Sequence, residues 1–181
     1  MISVNHAGQN PEIDQSAYIH PTAVVIGNVR IAAGCFVGPN AVIRSDEPGP
    51  GGDIAPIVIE SGANIQDGVI IHALGGSRVW IGRGASIAHG AVVHGPCEVG
   101  ENSFIGFKSV VFNSSLGNGV VVLHQALVEG VCIPDGIHVP SMTAVTAEVE
   151  VQRLLPASSE LAAFAEKVRR INQFLSEVSC K

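Results

Sequence analysis

The stretch Ile81-Gly-Arg-Gly-Ala-Ser-Ile87-Ala-His-Gly-Ala-Val-Val93-His-Gly-Pro-Cys-Glu-Val99 repeats one pattern every six residues. Each repeat begins with a branched aliphatic residue, and a small residue follows four positions later. An α-helix repeats its apolar residues about every 3.6 positions and a half-buried strand about every 2, so neither explains a period of six. A coil that turns a corner every six residues explains this period, because the aliphatic side chain fills the interior and the small side chain fits the corner.

The same period extends over most of the chain. The aliphatic positions are Ile13, Ile19, Val25, Ile31, Val37, Ile43, Ile59, Ile65, Ile71, Ile81, Ile87, Val93, Val99, Ile105, Val111, Leu116, Val122, Val128, Ile133, Val139 and Val145. Three repeats form one triangular rung, and successive rungs pair at a spacing of roughly 4.8 Å. The pattern predicts an all-β solenoid, a parallel β-helix of about seven rungs. We place it at residues 13–147, after an N-terminal segment 1–12.

Two interruptions and a change of period complete the organisation. A Gly- and Pro-rich stretch separates Ile43 from Ile59, and extra residues surround Leu74–Ser77. We predict that both leave the coil as loops, where function often concentrates. Beyond Pro156 the apolar residues follow three-four spacing, which predicts an α-helix over 157–180 with its start capped near Ser158. This helix is expected to pack on the solenoid or on a neighbouring subunit.

The four cysteines show no metal-finger spacing. Cys35, Cys97 and Cys132 occupy the small position four residues after an aliphatic one, so we predict three buried thiols. Cys180 is expected to be an exposed thiol.

Composition excludes several classes of partner. The net charge is −6 with only 10 Lys and Arg in 181 residues, which argues against nucleic acid. No apolar run has the length of a membrane span, and the first residues lack the pattern of a signal peptide. We therefore expect a cytoplasmic protein without a membrane partner.

Three of the seven histidines fall within 23 residues, and the repeat decides which of them meet. If 74–77 is a loop, His72 and His94 each follow an aliphatic position by one residue and lie one full rung apart. They are then stacked on the same face, close enough to bind one metal. By the same counting Arg44 lies one rung below His72.

His89 follows Ile87 by two residues, so it lies near a corner and points away from that pair within one chain. In a three-fold assembly of triangular prisms, His89 of one subunit could complete the pair of its neighbour. Three neutral imidazoles with an open fourth position are the ligand set of a catalytic zinc site. Polar residues nearby could orient such ligands: Arg44, Asp46, Glu47, Asn64, Gln66 and Asp67.

At these residues the sequence resembles the γ-class carbonic anhydrases, which are left-handed β-helix trimers with metal sites between subunits. Two further stretches, 104–113 and 171–173, are similar to the carboxysomal branch of that family. The segments that carry the resemblance are Arg44-Ser-Asp-Glu47, Asn64-Ile-Gln-Asp-Gly-Val-Ile-Ile-His72, His89-Gly-Ala-Val-Val-His-Gly-Pro96 and Ile133-Pro-Asp-Gly136.

The resemblance implies reversible hydration of CO₂ to bicarbonate by a metal-bound hydroxide in a homotrimer. His72 and His94 of one subunit and His89 of the next would bind Zn²⁺, with Fe²⁺ or Co²⁺ as other candidates. Further roles are implied residue by residue: Arg44 and Asp46 pair across the interface and support bicarbonate binding, Gln66 orients the hydroxide, Glu47 takes part in proton transfer, and Asn64, Asp67 and Asn172 line the pocket. The carboxysomal branch implies a carboxysome-like compartment.

The chain departs from the family where the archetype has a long acidic loop with a glutamate proton shuttle. Gly75-Gly-Ser77 stands there, without a carboxylate. Proton transfer is then expected to limit the rate unless Glu47 or His124 replaces the shuttle. Two alternatives follow: a catalytically weak or inactive metal- or bicarbonate-binding scaffold trimer, and a hexapeptide acyltransferase. The scaffold relatives carry small-subunit-like repeats that are absent here, and three ligand-like histidines with few basic residues count against the acyltransferase.

Overall fold

The repeat folds into a left-handed parallel β-helix of about seven turns, as predicted, in a computed structural model that describes residues 1–179. Cys180 therefore lies outside the described residues. Each turn contributes one short strand to each of three sheets, which we call sheets A, B and C. Strands that are neighbours in a sheet come from successive turns, so a residue in one turn stacks on its equivalent in the next.

The strands are two to four residues long. Sheet A contains Ile2–Ser3, Val24–Gly27, Val42–Ser45, Ile70–Ala73, Val92–Gly95, Val110–Phe112, Leu127–Glu129 and Ala144–Val145. Sheet B contains Glu12–Ile13, Val29–Ile31, Ile57–Ile59, Val79–Ile81, Cys97–Val99, Ser115–Leu116 and Cys132–Ile133. Sheet C contains Tyr18–Ile19, Phe36–Val37, Asn64–Ile65, Ser86–Ile87, Phe104–Ile105, Val121–Val122, Ile137–Val139 and the antiparallel Leu155–Pro156. The first strand of sheet A lies within the segment 1–12, ahead of the first aliphatic position used to predict the coil.

The aliphatic positions form the core. Ile43, Ile71 and Val93 are fully buried and stack directly on one another in sheet A. Burial of one such side chain contributes roughly 1.5–3 kcal/mol relative to its exposure. The small residues occupy the corners, where Ala85 and Ala91 are also fully buried.

The prediction that Cys132 is buried is wrong. Cys35 and Cys97 are buried, but Cys132 is exposed. The repeat between Val128 and Ile133 has five residues instead of six, and the missing residue shortens the segment that leads to the corner. Val131 therefore occupies the buried corner position and Cys132 faces outward on sheet B.

Two helices follow the coil: α1, Glu148–Val151, and α2, Ser159–Ser179. Ser158 caps α2, since its Oγ accepts a hydrogen bond from Leu161 N at 3.2 Å. Helix α2 lies along sheet C and buries Ala165 and Asn172 there. Among the described residues, neither helix has the length and hydropathy to cross a bilayer.

The predicted apolar stripe of α2 covers the solenoid only in part. Val168 packs against the residues buried beneath the helix, whereas Phe164 is 40% exposed and Ile171 51% exposed. The line of contact is displaced around the helix because it includes Ala165 and Asn172, which apolar spacing did not select. The exposed part of the stripe is compatible with the expected alternative contact, a neighbouring subunit.

The three sheets share one interior but differ outside. The outward residues just before each aliphatic position distinguish them, as the register shows. In sheet A they are Val24, Val42, Ile70, Val92, Val110, Leu127 and Ala144. In sheet B they are Glu12, Arg30, Val58, Trp80, Glu98, Ser115 and Cys132. In sheet C they are Tyr18, Phe36, Asn64, Ser86, Phe104, Val121 and His138, and α2 covers most of these.

Candidate functional site

Three of the predicted site residues lie on the outer surface of sheet A. Arg44, His72 and His94 are paired in register on three neighbouring strands, which confirms the stacking predicted from the six-residue count. The prediction required residues 45–56 and 74–77 to leave the coil as loops. The structure shows both loops, but the first begins at residue 46, because Ser45 still pairs with Gly27 in sheet A. The backbone therefore brings one guanidinium and two imidazoles into a single column.

A chain of polar contacts links these three side chains. Arg44 Nη2 lies 3.1 Å from His72 Nε2, His72 Nδ1 lies 3.2 Å from His94 Nε2, and His94 Nδ1 lies 3.1 Å from the carbonyl oxygen of Gly95. Because a carbonyl only accepts, His94 Nδ1 carries a proton and donates it, which leaves His94 Nε2 with its lone pair. The nitrogen that faces His72 is thus the one able to bind a metal.

Two carboxylates from the loop after Arg44 surround the other side of the His72 ring. Asp46 Oδ1 lies 3.4 Å and Glu47 Oε1 lies 3.5 Å from His72 Nε2. Arg44 Nε lies 3.3 Å from Asp46 Oδ1 within the same chain, so pairing of these two across a subunit interface stays a prediction. Among the described residues no hydrogen bond reaches the buried Asp46 Oδ1. Because a guanidinium only donates, His72 Nε2 accepts a hydrogen bond from Arg44 Nη2, and in the metal-free chain the ring proton of His72 lies on Nδ1, facing His94 Nε2.

This geometry fits a metal bound by two imidazoles. Metal–nitrogen bonds of about 2.05 Å in a tetrahedral site place two ligand nitrogens about 3.3 Å apart. The observed separation between His72 Nδ1 and His94 Nε2 is 3.2 Å. Within residues 1–179 of one chain, however, no three His, Cys, Asp or Glu side chains gather in a way that could hold a metal ion. The column supplies two ligands and lacks a third.

The electrostatics keep His72 neutral. Burial lowers the pKa of its imidazole below the ordinary value, and the positive charge of Arg44 lowers the pKa further. The negative charge of Glu47 opposes these effects but is smaller than either. A metal-binding imidazole must be unprotonated at the ligating nitrogen, so the environment favours the form that binds.

His89 is the predicted third ligand. It is exposed and follows the strand Ser86–Ile87 of sheet C, so it lies on a different face from His72 and His94, as predicted. Its Nδ1 lies 3.5 Å from Asp67 Oδ2, and its ring lies 5.5 Å from that of Phe107. A carboxylate on one ring nitrogen is the usual way in which proteins orient a metal-binding histidine by its other nitrogen.

A groove of about 220 Å³ beside His89 gathers three more of the predicted residues. Gln66 and Asn64 project from the solenoid, and Asn172 projects from α2. Gln66 Nε2 donates a hydrogen bond to Asn64 Oδ1 at 2.5 Å, which fixes the orientation of the Asn64 amide. Within the part of the chain described, the buried Asn64 Nδ2 then has no hydrogen-bond partner. An unpaired buried donor is costly unless an acceptor is bound, so it suits a ligand oxygen.

The other residues of this groove belong to no motif in the sequence. Ser86 is buried with no partner for its Oγ among the described residues, and it lies next to Asn64 in the sheet register. The remaining lining is apolar: Ala88, Phe104, Phe107, Phe164, Val168 and Ile171. Only the position of Ser86, among the mostly apolar outward residues of sheet C, could have drawn attention to it.

Comparison with known proteins identifies relatives along nearly the whole chain. Residues 10–45 and 78–113 match the bacterial transferase hexapeptide (six repeats) family. The chain is 39% identical over 171 residues to the carbonic anhydrase of Methanosarcina thermophila, covering 84% of this chain and 67% of that protein. It is 40% identical over 174 residues to the carboxysome assembly protein CcmM of Nostoc sp., covering 91% of this chain but only 30% of CcmM.

A solved structure agrees in fold. The hexapeptide transferase family protein of Anaplasma phagocytophilum superimposes with a TM-score of 0.80, covering 97% of this chain and 96% of the other at 24% identity. That likeness shows the β-helix and its helical end, and nothing about activity.

Proposed function

The chain belongs to the γ-class carbonic anhydrase family, and from that premise we propose that it is a metal-dependent carbonic anhydrase. It converts CO₂ and water reversibly to bicarbonate and a proton, at sites formed between the subunits of a homotrimer. The observation that carries the proposal is the stacked pair His72–His94 on sheet A, with the third imidazole, His89, on a different face of the same chain. Such a site is completed only when the corner of one subunit meets the flat side of another.

The outer surface of sheet A supports this assembly. Its aliphatic column runs beside the histidine pair, and in the described part of the chain α2 lies along sheet C instead, so that Ile70 is 43% exposed. Val42 and Val92 beside it are half-buried, and apolar side chains that share a partly exposed sheet surface are suited to an interface. A second copy that covers this column would bring its own corner histidine toward the pair.

His72, His94 and the neighbour's copy of His89 would hold Zn²⁺, with Fe²⁺ and Co²⁺ as alternatives of the same donor preference. A metal so held supplies Lewis-acid activation of water for attack on CO₂ at neutral pH. The chain's own residues arrange the reaction. Gln66 and Asn64 present an oriented amide pair from the groove, and Arg44 provides the positive charge for bicarbonate.

Glu47 is the group proposed to carry the proton away. It lies beside His72, and its side chain is 44% exposed, so its carboxylate can exchange with buffer. Asp46 is closer and more buried, which suits orientation of His72 rather than transfer to solvent. Asp67 and Asn172 are proposed to position His89 and to close the groove.

A subunit-mixing experiment tests the proposal. His72→Ala and His89→Ala chains should each fail to bind metal and to hydrate CO₂ in a stopped-flow assay. When the two are mixed and reassembled, about a quarter of the interfaces should regain all three ligands, as random assembly of a cyclic trimer requires. Recovery of metal and of hydration in the mixture supports the shared site. Stoichiometric metal in His89→Ala alone contradicts the ligand set, and absence of hydration by metal-loaded wild type contradicts the enzyme.

A scaffold function is the second candidate. It is favoured by the short Gly75–Ser77 turn, which has no carboxylate, and by the CcmM relative, of which the chain spans less than a third. In that case metal-loaded trimers would form but hydrate CO₂ no faster than buffer. The CcmM relative also supports a carboxysome-like compartment as a proposal. The Anaplasma protein supports the acyltransferase alternative only through its similar fold.

A further inference from the structure

The two loops that leave the coil beside the site touch each other through glycines. One is the insertion after Arg44, residues 45–56, and the other is the short turn after His72, residues 74–77. A Cβ at Gly75 would lie well inside 3.0 Å of the Pro48 carbonyl oxygen, and a Cβ at Gly49 would lie 2.8 Å from Gly76 Cα. The two backbones are therefore in direct contact, and side chains at these positions would separate them.

At Gly75 the reason for glycine is this close approach. Its φ does not lie in the left-handed region, so an alanine would not be strained by the backbone itself. Gly76 differs, because its φ of 75° is required by the turn. A substitution at Gly75 thus tests the contact between the loops without changing the preferred conformation of the turn.

The contact is next to the carboxylates of the site. Glu47 directly precedes Pro48, and Asp46 precedes Glu47. The base of the insertion is anchored as well: Ser45 Oγ donates to Ala55 O at 2.7 Å, and Asn5 Nδ2 donates to Ser45 O at 3.0 Å. The insertion is held at its base by hydrogen bonds and near its tip by the glycine contact, with both carboxylates between.

We propose that Gly75 and Gly49 are positioning residues, whose backbone contact holds Glu47 and Asp46 against His72 and so sets the orientation of its ring toward His94. The turn 74–77 has no carboxylate of its own, but it contacts and supports the insertion that supplies Asp46 and Glu47. The consequence for CO₂ hydration rests on the proposed function, but the orientation of His72 does not. A longer or bulkier turn would push the insertion away and break this backbone contact.

The main test compares Gly75→Ala with Gly51→Ala in the metal-free protein. Gly51 lies in the same insertion, its φ is not left-handed, and a Cβ there would meet only the mobile end of Asp53 at 3.2 Å, which makes it a matched control. The ring ¹H–¹⁵N signals of His72 should move in Gly75→Ala, in the same direction as in Glu47→Ala, and stay in place in Gly51→Ala. Unmoved signals in a folded Gly75→Ala protein overturn the proposal.

A double-mutant cycle separates positioning from general damage, with Co²⁺ affinity as the measured quantity. Loss of an outer partner of a metal ligand typically weakens binding about 10-fold, which is the effect expected for Gly75→Ala alone. In a Glu47→Ala, Asp46→Ala background the same substitution should have no further effect, because the groups that it displaces are gone. An undiminished 10-fold effect in that background shows a structural role and contradicts the proposal.

A second variant keeps the proposal testable if Gly75→Ala does not fold. One extra glycine between Gly75 and Gly76 lengthens the turn without adding a side chain, and it should produce the same movement of the His72 signals. If both variants leave them unchanged, the proposal fails. If the His72 signals move as expected but metal-loaded wild type does not hydrate CO₂, the result contradicts the proposed function and leaves the positioning role supported.

Discussion

Sheets A and C contribute to the same aliphatic core, but their outer surfaces differ in whether a helix covers them. In sheet C the outward residues Phe104 and Val121 are 1% and 2% exposed, because α2 lies over them. In the described part of the chain, α2 does not lie over the equivalent column of sheet A, which consists mainly of valine, isoleucine and leucine. The repeat is sufficient for the coil, whereas the outward residues between the core positions decide which face α2 covers and which face is left for the proposed contact with a second subunit. Each of these two faces carries one half of the candidate site.

The largest effect is expected from a charge on the uncovered face. Ile70→Glu would place an unpaired carboxylate in the proposed interface, at a cost on the order of 3 kcal/mol for each contact. We expect monomers by light scattering, with loss of bound metal and a circular dichroism spectrum like that of wild type. Val58→Glu, at an outward position of sheet B, is the matched control and should remain trimeric. Trimeric Ile70→Glu protein would show that sheet A is not the interface.

A smaller effect is expected beneath the helix. Phe104→Ala removes a buried ring between sheet C and α2, and such truncations cost about 3–5 kcal/mol. Thermal unfolding should begin at a lower temperature and α2 should exchange its amide protons faster, while His72 and His94 keep their register. Phe112→Ala, on the outer surface of sheet A, should change the stability of the monomer less. An equal loss of thermal stability in both variants would contradict the inference that the outer surface of sheet C, but not that of sheet A, is buried within one chain.

The smallest effect concerns sheet B, which is covered neither by α2 nor, by the proposal, by a second subunit. Burial raises the pKa of the Cys35 thiol to about 11 and that of Cys97 to about 12, so few thiolates form at pH 8 and both should resist alkylation. Cys132 is exposed and should react in the assembled protein. Mass spectrometry should find one label fewer in Cys132→Ser than in wild type. Equal labelling would indicate that sheet B is buried in the assembly.

The sequence predicted the coil and the stacking of Arg44, His72 and His94, because a period of six maps each position onto one place in a rung. It also separated His89 from the pair by the same count. Where a repeat shortens to five residues the map shifts, and Cys132 was consequently assigned to a corner that Val131 occupies. The pattern predicts the position of α2 but not the line along which it packs, since Asn172 is polar and Ala165 lies outside the stripe of larger apolar residues.

What the sequence by itself determined about this protein is the periodic part: the rungs, the core and the residues that share a column. These follow from local steric and hydrophobic requirements that every turn repeats. Only the tertiary structure decided how the non-repeating parts meet, including the carboxylates of 46–47 against His72, the groove under α2 and the glycine contact between the two loops. Loop paths and helix docking depend on contacts between residues far apart in the chain, for which no period exists.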